Sequence, residues 1–253
     1  MTVRAAAGAR ADAALALTFL TRLPAPSSAG LAAGTLARSV VWFPVVGALV
    51  GAVLGGTRLL ADLVLPAGPA TVLALTAAVL LTGGLHEDGL ADTADGLGAH
   101  TSRERKLDIM RDSRVGTFGA LALGLSLLLA WSLLSGLDGT ECLLAAVAAH
   151  ALARWAMPVA SLLFSPARPD GTGRLMTVSA PRLIVATVLA VTIACASQGA
   201  VAGLAAVGAA LAVTGTLGAY ATRAVGGISG DTYGAVGKLA ELAGLVAIVA
   251  VKA

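Results

Sequence analysis

Charge is what this sequence has least of. Asp, Glu, Lys and Arg together make up 12% of it, against roughly a quarter in soluble domains. A chain of 253 residues that is 57% hydrophobic, with a mean hydropathy of +0.89, has too little polar surface to fold as a water-soluble domain. Its apolar residues fall into several runs of about twenty, each long enough to cross roughly 30 Å of hydrocarbon as a helix. A single anchored domain is thereby excluded, and the lipid bilayer is the expected partner.

Cysteine and histidine are scarce too. Two cysteines, Cys142 and Cys195, are too few for a disulfide framework or a zinc site of their own, and packed apolar thiols are expected. Three histidines lack the i, i+4 pairing of a zinc helix. His86 and His100 are expected at the surface or in hydrogen bonds, and His150 as an interior polar group. The net charge of +3 comes from basic residues spread over the ends of apolar segments, not from one patch, so no nucleic-acid partner is expected.

What is present reads as an all-α polytopic membrane helix bundle, one integral-membrane domain over residues 1–253. Seven spans are expected near 39–60, 68–86, 115–136, 140–164, 181–198, 200–222 and 235–252, with Ser197-Gln198-Gly199 as the turn between the fifth and sixth. Before them, MTVRAAAGARADAALALTFLTRLPAP has early arginines and a short apolar run, the outline of a signal peptide. Thr18, Thr21 and Arg22 interrupt the run, which favours a helix lying along the membrane interface. In the first span Gly47, Gly51 and Gly55 recur every four residues and predict a close helix contact.

The basic residues test the topology. With the N-terminus inside, the cytoplasmic segments carry Arg4, Arg10, Arg22 and Arg38, then Arg103, Arg105, Lys106, Arg111 and Arg114, then Arg168, Arg174 and Arg182, and last Arg223 and Lys238. The outer side holds Arg58 and Lys252. This asymmetry is the positive-inside signature of a multi-pass protein of the cytoplasmic membrane.

Half of the fourteen acidic residues lie between Gly83 and Gly116, in GGLHEDGLADTADGLGAHTSRERKLDIMRDSRVG. Asp88, Asp92 and Asp95 are spaced i, i+4, i+7 and would share a helix face, with Glu87 beside them. Carboxylates so placed repel one another unless a cation sits among them, and all-oxygen donors suit Mg²⁺. Gly83, Gly84 and Gly89 weaken the helix near the membrane surface. The segment Gly98 to Thr101 ends it, and Thr101 with Glu104 forms a capping-box pattern opening a short helix to about Asp112, on which Asp108 and Asp112 share a face. On the same side, RDSRVG at Arg111 to Gly116, ARPDGTGR at Ala167 to Arg174 and RAVGGISGDTYGA at Arg223 to Ala235 have the composition of phosphate-binding loops. Arg111, Arg114, Gly116, Arg168, Arg174 and Gly227 are the candidate contacts. Two ionisable residues fall inside apolar spans. Arg154 is expected to pair with a carboxylate or a phosphate, and Glu241 with Lys238 or with a polar end of the site.

TFLTRLPAP, GGLHEDGLADTADG, RDSRVGTFG, ARPDGTG and GGISGDTYGA together resemble the cobalamin synthase family, the adenosylcobinamide-GDP ribazoletransferases, over nearly the whole chain. The resemblance implies a multispanning membrane enzyme that joins adenosylcobinamide-GDP to α-ribazole, or its 5′-phosphate. The products would be adenosylcobalamin, or its phosphate, and GMP, with Mg²⁺ required. More distantly the stretch is similar to the CDP-alcohol phosphotransferases, whose signature is DxxDGxxAR followed by GxxxDxxxD. Asp92, Asp95, Gly96 and Ala99 match the first part and Asp108 with Asp112 the last, while His100 replaces the Arg and the second glycine is missing.

With that reaction in view, Asp88, Asp92, Asp95 and Asp112, joined by Glu87 and Asp108, are the expected Mg²⁺ ligands. Arg111, Arg114 and Arg154 are expected to steady the diphosphate, and Asp112 to act as the base, with Asp231 as the alternative base or ligand. Arg168, Arg174, Gly116, Gly227 and Glu241 complete the expected substrate contacts. A cation transporter with an acidic relay is the competing reading, and a scaffold for other enzymes a third. Association into a homo-oligomer is compatible with the sequence.

Overall fold

The computed structural model describes residues 2–25, 33–168 and 178–252. Eleven α-helices stand among the described residues: α1 Thr2–Leu20, α2 Ala33–Ser39, α3 Phe43–Ala61, α4 Ala67–Thr82, α5 Leu85–Gly98, α6 Arg103–Ile109, α7 Thr117–Ser135, α8 Gly139–Leu163, α9 Ala180–Gln198, α10 Ala200–Val225 and α11 Gly230–Lys252. Six stretches are long and apolar enough to span a bilayer, the first running from Thr35 through α3 and the others being α7 to α11. The second expected span, near 68–86, is a broken one. α4 is its membrane-crossing limb, about 24 Å long at 1.5 Å per residue, and α5 turns away from it by 88°.

α8 is the axis of the bundle. Its residues from Ala148 to Ala160 are buried without interruption, and six of these thirteen are alanines that let neighbours come close. The glycine stripe of α3 packs on it. A Cβ at Gly47 would strike the carbonyl of His150, one at Gly51 that of Ala146, and one at Gly55 the backbone of Leu143. The expected turn between the fifth and sixth spans is Gly199 alone, at φ 79°, between the end of α9 and the start of α10. Both cysteines are free thiols.

At one end of the bundle Arg58 is buried, and every nitrogen of its guanidinium has a partner. Its Nε meets Asp62 at 2.7 Å, Nη1 donates to Thr71 at 2.8 Å and to the Leu134 carbonyl at 2.9 Å, and Nη2 donates to the Leu137 carbonyl at 3.3 Å. One side chain thus ties the ends of α3 and α7 to the beginning of α4. The acidic stretch lies where α4 ends and α7 begins, at the other end.

Candidate active site

The site is made by an elbow. Gly83 and Gly84 both adopt left-handed backbone conformations, φ 69° and 72°, which cost glycine nothing and other residues about 1 kcal/mol or more each. Through them α4 ends and α5 starts almost at right angles to it. Glycine also sets how close α5 comes to α11. A Cβ on Gly89 would sit 2.6 Å from the Asp231 carbonyl oxygen and 3.0 Å from the Gly234 Cα, and a Cβ on Gly234 would sit 3.1 Å from the Gly89 Cα. This glycine-on-glycine contact brings the first turn of α11 against the acidic face of α5.

Asp231 was expected in a loop before a helix beginning near 235. It lies instead in the first turn of α11, because Ser229 opens that helix by accepting the Thr232 N–H at 3.1 Å. The Ser229-x-x-Thr232 spacing was the readable signal, obscured by the run of glycines around it. Asp231 is close enough to Asp88 and Arg111 for both charges to act on it.

Asp92 is half-buried on α5. Burial first, and then the negative charges of Asp88, Asp231 and Asp95, push its carboxyl up to about 6. Four carboxylates from two helices therefore share one repulsive field, and the sequence spacing accounts for three of them.

The other expected ligands are engaged elsewhere. Asp95 spans from α5 to the start of α7, accepting the Gly116 N–H at 2.7 Å and the Gly119 N–H at 2.8 Å. It caps a helix that is not its own, an arrangement of the kind worth about 1 kcal/mol. The Gly116 N–H, expected to face a phosphate, is thus committed to a carboxylate. Glu87 lies 3.1 Å from Lys238, Asp108 3.1 Å from Arg168, and Asp112 2.6 Å from Arg114. The Asp112–Arg114 pair stands on an exposed loop, and its hydrogen bonds hold the Asp112 carboxyl down to about 2.

The short helix is capped by Ser102, which accepts the Arg105 N–H at 3.3 Å, not by Thr101. It ends at Ile109, so Asp112 lies beyond it in a turn and shares no helix face with Asp108. α6 packs on α5 where Gly96 leaves room for Met110. The later loops gather around it. Arg103 donates to the Ala167 carbonyl at 3.0 Å, and the Ala167 N–H donates to the Ile228 carbonyl at 2.9 Å. Gly227, at φ 155°, has no space for a Cβ against the Ser165 carbonyl, so its place is in that backbone pairing. Arg174 falls outside the described residues.

Arg154 and Glu241, expected either to pair with charged residues or to touch substrate, are both buried inside the bundle. Glu241 lies 2.7 Å from Lys238, 3.0 Å from His150 Nδ1 and 3.7 Å from Arg154. Lys238 is shared between Glu241 and Glu87, so this internal network reaches the site through the first turn of α5. His86 of α5 lies beside it, with neither ring nitrogen hydrogen-bonded among the described residues. Expected at the surface or in hydrogen bonds, it is 1% exposed and packs against Gly237 of α11. The expected pairings of Glu241 with Lys238 and of Arg154 with a carboxylate are present, while lone ionisable residues in apolar runs give no indication that three helices, α5, α8 and α11, meet around them.

Among the described residues, no three His, Cys, Asp or Glu side chains close on one point as a ready metal cage. The donor chemistry nevertheless suits Mg²⁺, which is commonly held by one or two carboxylates together with substrate phosphates. The crowding that pushes Asp92 up to about 6 is the repulsion such an ion would relieve.

Fold and site together define an all-α polytopic membrane protein with carboxylates collected on an elbow helix at one end of the bundle. Residues 12–249 match the family described as CobS, cobalamin-5-phosphate synthase, and the chain belongs to that family. It is similar to proteins named adenosylcobinamide-GDP ribazoletransferase. That of Mesorhizobium japonicum is 51% identical over 165 residues, covering 63% of this chain and 62% of the relative. That of Bradyrhizobium diazoefficiens is 49% identical over 165 residues, 64% and 63%, and that of Shewanella amazonensis 54% over 123 residues, 49% and 47%. The chain thus spans less than two thirds of the length of the curated relatives it matches. No solved structure matches it.

Proposed function

We propose that this protein transfers the adenosylcobinamide-phosphate group from adenosylcobinamide-GDP to α-ribazole or its 5′-phosphate, giving adenosylcobalamin or its phosphate and GMP. The observation that carries the reading is the elbow, which sets Asp88 and Asp92 of α5 against Asp231 of α11 at the end of a membrane bundle. Those carboxylates would hold Mg²⁺, which when bound neutralises charge on the diphosphate. Arg111, whose charge acts on Asp231, would steady a phosphate oxygen.

The ribazole hydroxyl oxygen forms a bond to the phosphorus that carries the adenosylcobinamide. The bond from that phosphorus to the bridging oxygen breaks, GMP leaves with the oxygen, and the hydroxyl proton passes to a carboxylate. At rest Asp112 is a poor acceptor, because Arg114 favours its ionised form. A phosphate that drew Arg114 to itself would return Asp112 to ordinary carboxylate basicity, coupling substrate binding to base strength. Asp231, without a tight cationic partner among the described residues, is the alternative base. The basic-residue asymmetry supports a cell-membrane setting with the N-terminus and the site on the cytoplasmic side.

The test is GMP release by the purified protein in detergent. Release that requires both substrates and Mg²⁺ supports the reading. Ion accumulation in sealed vesicles without nucleotide, and no GMP, would replace it with transport.

A further inference from the structure

Beside the elbow lies a cleft of about 580 Å³, lined by Phe19 and Arg22 from α1 and the residues after it, by Thr82 and Leu85 at the bend, by Asp88 of α5 and by Val115 before α7. Its volume falls within the ordinary range for small-molecule sites. Asp88 belongs both to the cleft and to the carboxylate cluster, so a molecule bound here has one end at the reacting centre.

Arg22 is the cation of this cleft, and the fold holds it in place. Its N–H donates to the Leu81 carbonyl at 2.8 Å, and its guanidinium lies over Gly83, where a Cβ would strike Nε. The elbow glycine therefore serves the arginine as well as the bend. Glu87, which also lines the cleft, is taken by Lys238. Among the described residues no carboxylate comes within ion-pair distance of Arg22. A guanidinium so placed suits a phosphate, which it can bind through two parallel hydrogen bonds.

The remaining wall is mostly apolar. Guanine needs donors and acceptors along its edge. Apart from Arg22, Glu87, which is held by Lys238, and Asp88, which belongs to the carboxylate cluster, the cleft offers one hydroxyl, Thr82 Oγ1, which donates to the Ala78 carbonyl at 3.0 Å, and the apolar side chains of Phe19, Leu85, Ala91, Val115 and Leu123. An apolar aromatic base with a ribosyl phosphate fits this chemistry, the base against the apolar side chains and the phosphate at Arg22.

We propose that this cleft is the acceptor subsite and that Arg22 binds the 5′-phosphate of the ribazole, selecting the phosphorylated acceptor over the free nucleoside. The assignment rests on the reaction proposed above. The experiment is calorimetric titration of the protein in phosphatidylcholine nanodiscs with α-ribazole 5′-phosphate, α-ribazole and adenosylcobinamide-GDP, for the wild type, Arg22→Gln and Arg22→Lys. Arg22→Gln should weaken the phosphorylated acceptor by about tenfold or more while leaving α-ribazole and adenosylcobinamide-GDP within about twofold, and Arg22→Lys should fall between. Equal losses for both acceptors, no loss, or a loss confined to adenosylcobinamide-GDP would overturn the assignment. So would Arg22-dependent displacement of the acceptor when phosphatidylglycerol is added to the discs, which would make the cleft a lipid site. GMP release by the wild type separates the two levels. With release intact and Arg22→Gln unaltered in binding, the subsite alone fails. With no release, and no acceptor bound by the wild type, the reaction fails and the subsite with it.

Discussion

Arg58 and Asp92 are charged groups at opposite ends of one bundle, and the fold treats them in opposite ways. Arg58 is 2% exposed, and its three nitrogens are satisfied by a carboxylate, a hydroxyl and two carbonyls. Asp92 stands among Asp88, Asp231 and Asp95, with repulsion where Arg58 has partners. A charge whose needs are met holds helices together, and a charge whose needs are unmet is kept for something that binds. Stability and function are thereby separated along the length of α4 and α7.

The sharpest way to break this comparison is Asp92→Asn. It should lower GMP release on the order of a hundredfold or more, while the thermal unfolding temperature in detergent holds or rises as the repulsion is relieved. Arg58→Met should do the reverse. It leaves Asp62 and two carbonyls without their partner, at a cost of roughly 3–5 kcal/mol. The unfolding temperature should drop while turnover per folded molecule stays unchanged. Gly89→Val should fall on both sides, because the new side chain meets the backbone of Asp231 and Gly234. A loss of about 1–3 kcal/mol should accompany reduced turnover as α5 moves off α11.

The smallest effect concerns Asp112. Its carboxyl is depressed to about 2 by Arg114, so the charged pair persists above the ordinary carboxylate range and is lost as the pH falls toward 2. In Arg114→Gln the same carboxyl should take up its proton near the ordinary value of about 3.9. A carbon-13 NMR titration of the aspartate carboxyls reads this upward shift directly.

Much of the fold is legible in the sequence because membrane helices announce themselves by length and apolarity, and because Gly47, Gly51 and Gly55 mark the α3–α8 contact. The site is legible in part. Asp88 and Asp92 follow from i, i+4 spacing, yet spacing cannot tell which carboxylates have partners far along the chain. Asp95 looks like the third ligand until the amides of Gly116 and Gly119 arrive from the start of α7. Glu87 looks like a fourth until Lys238 arrives from α11. Gly83 and Gly84 signal a weakened helix, whereas the 88° turn depends on both taking left-handed backbone angles. Thr101 and Ser102 are equally good caps by type, and tertiary packing of α6 on Gly96 accompanies the choice of the second.

The most direct test of the division between engaged and unengaged carboxylates is electron paramagnetic resonance of Mn²⁺ bound to the purified protein in the presence of adenosylcobinamide-GDP. Asp92→Asn should abolish the bound-Mn²⁺ signal, and Glu87→Gln should leave it intact. A signal that survives Asp92→Asn and disappears with Glu87→Gln would contradict the account.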